Sequence, residues 1–229
     1  MINAALNCLY GVKALSRILN RFFVLSVDIW CNMRRFMILS FAMGLLFSLS
    51  SFGQPPAVNK GAVEAFNKGV AEANKLNISE ALTQYTKAIQ QDPKYVNAYH
   101  NRGIIYYNQR KQSEAIADFS KLIEINPKDH EALNHRGLAY ADQKKYAESI
   151  ADFTKAIALN PSYTAAYNHR GNSAFAMKNY TDAVLDYTKA IELSPGDAKL
   201  FNNRANAFKA LGKDKEAEDD LMKVKRLTN

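Results

Sequence analysis

The chain has 229 residues, and 48% of them are hydrophobic, which excludes a disordered protein. Its formal charge of +8 would suit a nucleic-acid partner, but the excess is concentrated at one end. Residues 1–53 hold Lys13, Arg17, Arg21, Arg34 and Arg35 against Asp28 alone, so 25 of the 30 basic and 21 of the 22 acidic residues lie beyond Gly53. That remainder has a net charge of +4 with both signs interspersed, an ordinary solvated surface.

In chain order, residues 1–32 are apolar with Lys13, Arg17 and Arg21 at four-residue spacing, which would line one helical face. Two readings stand: a membrane-surface or targeting helix, or sequence upstream of a true start at Met33. Residues 33–53 follow with a basic pair, Arg34 and Arg35, an uncharged run from Phe36, and small residues at Ser51 and Gly53. This is the three-part layout of a secretory signal peptide. Phe36 to Phe52 is also near the low end for a spanning helix of roughly 20 residues, so an uncleaved anchor is the rival reading. Either way the downstream chain is expected to be exported, periplasmic or extracellular, with membrane contact only through residues 36–52. Cys8 and Cys31 both lie in this N-terminal stretch, so no disulfide or thiolate metal site can form further on. Residues 54–61 read as a linker, with Pro55 and Pro56 barring a continuous helix.

From residue 62 the chain keeps a beat. Pro93, Pro127, Pro161 and Pro195 stand 34 residues apart, and the stretch Val96 to Asp129 returns at 130–163 and 164–197, with copies at 62–95 and 198–229. A fixed period of this length signals stacked supersecondary units. Within each unit apolar residues fall at helical spacing in two halves (Tyr99, Gly103, Tyr106; then Ala115, Phe119, Leu122, Ile123) around a polar break at Asn108 to Ser113. Each copy is therefore expected to be two antiparallel helices, stopping at Asn126, Asn160 or Ser194 before the proline.

Counting Val96 as the first place of a unit, the eighth place is small (Gly69, Gly103, Gly137, Gly171, Ala205), as is the twentieth (Ala81, Ala115, Ser149, Ala183, Ala217). Large residues at the fourth place (Tyr99, Leu133, Tyr167, Phe201) and the twenty-fourth (Tyr85, Phe119, Phe153, Tyr187, Leu221) fill the space around them. Arginine recurs at the seventh place (Arg102, Arg136, Arg170, Arg204) and aspartate at the twenty-third (Asp118, Asp152, Asp186, Asp220), which points to structural ion pairs between neighbouring helices. In the copy at 198–229, Glu218 and Lys225 replace the apolar residues that would cover a following unit. Residues 215–227 are thus expected to form a solvent-facing cap at which the array ends.

The pattern aromatic-x-x-x-Gly-x-x-Tyr…Ala-x-x-x-Phe-x-x-Ala…Pro resembles the tetratricopeptide repeat (TPR) over residues 62–229. Departures are Ala65 and Glu72 in the first copy and Ala174 in the copy at 164–197. The resemblance implies an all-α, right-handed TPR superhelical solenoid whose first helices line a concave face that holds an extended peptide or a partner's helix. Carried onto this sequence, the lining is His100, Asn101, Ile104 and Tyr107; Asn134, His135 and Leu138; Asn168, His169, Asn172 and Phe175; and Asn202, Asn203 and Asn206. A row of asparagines can pair with a peptide backbone whatever its side chains, because each amide both donates and accepts. Against this stands the bland reading, that asparagine suits a crowded inner surface or pairs between repeats.

A family clamp for the C-terminal carboxylate of heat-shock chaperones is matched here only by Asn101. His135 and His169 share a place one repeat apart, but with no cysteine and no i, i+4 histidine pair they do not make a metal site. No phosphate loop, nucleophile motif or paired-carboxylate constellation stands apart from the repeat. The expectation is a non-enzymatic scaffold without cofactors that binds protein or peptide and not nucleic acid. A structural or oligomerising module and an RNA-binding helical repeat are the alternatives.

Overall fold

A computed structural model of the protein describes residues 59–228; residues 1–53, read above as a targeting segment, and most of the stretch read as a linker lie outside them. Among the described residues there are ten α-helices and no strand. In order they are α1 (Lys60–Asn74), α2 (Ile78–Gln91), α3 (Val96–Asn108), α4 (Gln112–Ile125), α5 (His130–Asp142), α6 (Tyr146–Leu159), α7 (Thr164–Ala176), α8 (Tyr180–Leu193), α9 (Ala198–Ala210) and α10 (Asp214–Thr228). Each odd helix packs most heavily on the even helix after it, and each even helix packs less extensively on the next odd one. The chain advances hairpin by hairpin, as a solenoid does. None of these helices is long and apolar enough to cross a membrane.

Each hairpin turn is tighter than the polar break suggests. Asn108 is still helical and Gln112 already helical, leaving three residues between. Leu76, Arg110, Lys144, Lys178 and Gly212 adopt left-handed φ of 61–72°. The amide of the next residue then donates five residues back, as Lys145 does to the Tyr140 carbonyl at 2.9 Å. This is a Schellman ending, which satisfies helix carbonyls that would otherwise be orphaned. Between hairpins, Asn126, Asn160 and Ser194 leave the helical region ahead of their prolines. At the other end, α1 begins at Lys60, inside the stretch read as linker, because the Asn59 side chain accepts from the Ala62 amide and caps it.

The core is a row of small clusters in which alanine meets ring. Ala81, Ala115, Ser149, Ala183 and Ala217 are fully buried, and Tyr85, Phe119, Phe153 and Tyr187 are all but buried. In the units whose eighth place is glycine, the ring lies directly over it. A Cβ added at Gly103 would stand 2.9 Å from Phe119 Cε1, and one at Gly171 2.8 Å from Tyr187 Cε1. In α10, Glu218 and Lys225 are exposed, whereas the apolar residues at the same places in earlier copies are half-buried or buried.

Candidate functional site

From α3 onward successive odd helices touch one another, whereas no two even helices pack to a comparable extent. The array therefore closes up on the odd-helix side, which makes that side the inner one. Side chains 34 or 35 residues apart meet along it: the His100 and His135 rings lie 5.3 Å apart, and the Asn203 amide donates to Asn168 Oδ1 at 2.9 Å.

The lining residues split into two groups. Asn172, Asn202 and Asn206 are exposed, and His100, Asn101, Ile104, Tyr107, His135, Leu138, Asn168, His169, Phe175 and Asn203 are half-buried. Asn134 is the correction: it is 3% exposed, and its Oδ1 pairs with His169 Nδ1 at 2.9 Å. Its amide ties two repeats together and does not face a ligand.

A cleft of about 200 Å³ opens where α7, α8 and α9 meet, lined by Asn172, Phe175, Asn203, Asn206 and Tyr187. The sequence assigns Tyr187 to the core alone. Its ring is buried, but its hydroxyl donates to Asn172 Oδ1 at 2.7 Å and so sets the amide's orientation. Burial, helped by the charge of Asp186, raises the Tyr187 phenol well above its usual range, so it remains a donor at any physiological pH. The Asn172 amide nitrogen has no partner among the described residues, which leaves it to donate into the cleft. Asn206 beside it is likewise unpaired.

Along the same face His135 and His169 are held neutral. Burial, with a smaller contribution from His135, pulls His169 down to about 4. His135, stacked on Phe119 at 5.4 Å, is lowered mainly by burial and then by His100, against weak opposition from Glu131 and Asp129. The unfolded chain therefore binds more protons than the folded one between pH 6.5 and 4. Stability from His169 is fully present above pH 6.5 and declines as pH falls toward 4, by at most about 1.4 kcal/mol per pH unit. His169→Asn, which installs the residue found at Asn101 and Asn203, is expected to flatten that slope in urea melts at pH 4.5, 5.5 and 7. A slope unchanged in the variant would contradict the assignment. Among the described residues no group of three or more His, Cys, Asp or Glu is placed to hold a metal.

The arginines and aspartates meet in all four units. Arg102, Arg136, Arg170 and Arg204 each donate from Nε and Nη2 to both carboxylate oxygens of Asp118, Asp152, Asp186 and Asp220, at 2.6–2.9 Å. The third nitrogen, Nη1, reaches back to a hydroxyl of the preceding repeat: Thr86, Ser120, Thr154 or Thr188, at 2.9–3.1 Å. The sequence reading missed these hydroxyls. Each arginine thus clamps its own hairpin and pins it to the one before, using the planar fork that lysine lacks.

Ten helices in 34-residue hairpins, with arginine ties at each seam and an asparagine-lined inner face, define a helical-repeat solenoid. Sequence profiles described as tetratricopeptide repeat match residues 96–129, 130–163, 164–197 and 186–219, and one described as TPR repeat matches 77–110. The chain belongs to the tetratricopeptide repeat family. No curated protein sequence matches it. Among solved structures it is similar to a MamA protein (TM-score 0.70, 23% identity, covering 73% of this chain and 92% of that one). It is also similar to MamA 41-end from Desulfovibrio magneticus RS-1 (0.71, 19%, 75% and 97%). A third is YrrB, described as a TPR protein with an unusual peptide-binding site (0.64, 20%, 72% and 86%). At these identities the likeness is one of fold.

Proposed function

We propose that the protein is a non-enzymatic scaffold that binds an extended peptide of a partner protein along its inner face, centred on the cleft between α7, α8 and α9. The observation that carries this reading is the pair of exposed amides, Asn172 and Asn206, beside a half-buried Phe175. Asn172 is held by the Tyr187 hydroxyl and by Asn203 across the seam, so its orientation is set before any ligand arrives. Fixed amides can pair with a peptide backbone irrespective of its sequence, and Phe175 supplies an apolar wall for a side chain. Preorganised donors lose little freedom on binding, which is where recognition by short polar rows usually fails.

Peptides selected from a displayed random library against the wild type provide the test. Asn172→Ala/Asn206→Ala, on an exposed face, is expected to leave the fold intact and weaken the selected peptides by about 1–3 kcal/mol, roughly 5- to 150-fold. Equal affinity for both proteins would remove the inner-face reading.

A further inference from the structure

A second cleft, of about 270 Å³, lies between the repeat at 130–163 and the one at 164–197. It is separate from the asparagine row. Arg170, Ala174, Asn179, Asp182, Leu185 and Asp186 of the later repeat and Ile150 and Thr154 of the earlier one line it, with Asp186 already paired to the Nε and Nη2 edge of Arg170. Its origin is visible by comparison within the chain. In the other three units that carry a clamping arginine the eleventh place is Tyr106, Tyr140 or Phe208, and each of those rings lies with its centroid 5.7–5.9 Å from the guanidinium; the first copy has Glu72 there and no such arginine. At 164–197 the place is Ala174. Arg170 keeps a ring only from the side of Tyr167, at 5.8 Å. Its side chain is 24% exposed, against 16%, 17% and 18% for Arg102, Arg136 and Arg204.

The neighbours of the missing ring correspond as well. Tyr106 lies beside Arg102 and Lys111, whose places are taken here by Arg170 and Asn179, both in the cleft wall. A second departure sits alongside the first. Leu185, 65% exposed, stands where the preceding units have Ala117 and Ala151. So one unit has lost its own ring, kept the cation that faces it, and gained an apolar lip at the opening. A cavity of about 150 Å³ already suffices for benzene, so this cleft has room for a phenol.

We propose that this cleft is a binding site for a tyrosine side chain of a partner polypeptide, whose ring takes the place that Tyr106, Tyr140 and Phe208 fill in three of the other repeats. The cationic plane of Arg170 complements the negative face of an aromatic ring, and no aliphatic side chain offers that face. The cleft opens to the surface beside Leu185, so a ring can enter while its backbone remains outside. The site is independent of the inner face, and either can fail without the other.

The test uses saturation-transfer NMR with p-cresol, N-acetyltyrosinamide and N-acetylleucinamide on the wild type and on Ala174→Tyr/Leu185→Ala, which copies Tyr140 and Ala151. The wild type is expected to bind both phenols in the millimolar range, with the leucine amide weaker by about tenfold. The double variant is expected to bind neither phenol and to melt several degrees higher, because the ring is now supplied in cis. Absence of transfer from N-acetyltyrosinamide to the wild type overturns the proposal. So does equal transfer in the double variant, equal binding of the leucine amide, or a lower melting temperature of the double variant. Binding of p-cresol alone also overturns it, since the cleft would then admit a free ring but no peptide.

Discussion

Arg136→Met is expected to cost about 3–5 kcal/mol of stability, the largest loss for any single polar substitution in the array. Asp152 is 3% exposed, and its two oxygens accept only from Arg136, at 2.7 and 2.8 Å. Removing the guanidinium leaves a carboxylate with neither water nor a donor. The Ser120 hydroxyl of the preceding repeat loses its partner as well. Removing both charges, in Arg136→Met/Asp152→Leu, is expected to recover most of the loss, because replacing a whole buried pair is far less costly than breaking it. Urea melts followed by helical circular dichroism read both variants. A loss below about 1 kcal/mol in the single variant would show that the pair is not what joins these helices.

Gly137→Leu is expected to cost about 1–3 kcal/mol or more by overpacking. A Cβ at that position would stand 2.7 Å from Cε1 of Phe153 and 3.0 Å from Cδ1 and Cζ. Phe153 is fully buried, so its ring has no free volume into which to retreat, and α5 and α6 must part. The fifth unit supplies an internal control. There the eighth place is Ala205, and the twenty-fourth is Leu221, which is half-buried and carries no ring. A Cβ is tolerated where the ring is absent. An unchanged melting temperature in Gly137→Leu would refute this account of the packing.

The hairpins were legible because each requirement recurs every 34 residues. A glycine under a ring, an alanine opposite it and a proline after the second helix are local constraints, and each leaves a mark in composition. The arginine–aspartate pairs were legible for the same reason. The hydroxyls at Thr86, Ser120, Thr154 and Thr188 recur just as regularly, but serine and threonine carry no charge to call for a partner, and nothing in the spacing alone singles them out. The turn in each hairpin was legible from its polar break, but the left-handed residue that closes it was not, for a different reason. Leu76, Arg110, Lys144 and Lys178 hold a backbone conformation that side chains of their types rarely adopt, and only Gly212 carries the usual signal. Asn134 was misplaced because burial depends on how far one repeat overlaps the next, which spacing along a single helix does not encode. Tyr187 shows the same limit, since a side chain can fill a core with its ring and reach an open cleft with its hydroxyl.

The arginine ties have a consequence for how such a protein can change length. Every seam from α2 onward is made by the same three groups in the same order, and none of these ties reaches beyond the adjoining hairpin. Excising residues 130–163 would bring Arg170 against Ser120, a pairing chemically equivalent to the one it replaces. At the arginine ties, then, the genetic event that duplicates or drops one unit meets no mismatch, and length becomes a trait that selection can adjust by re-matching only the inner-face pairs such as Asn134 with His169.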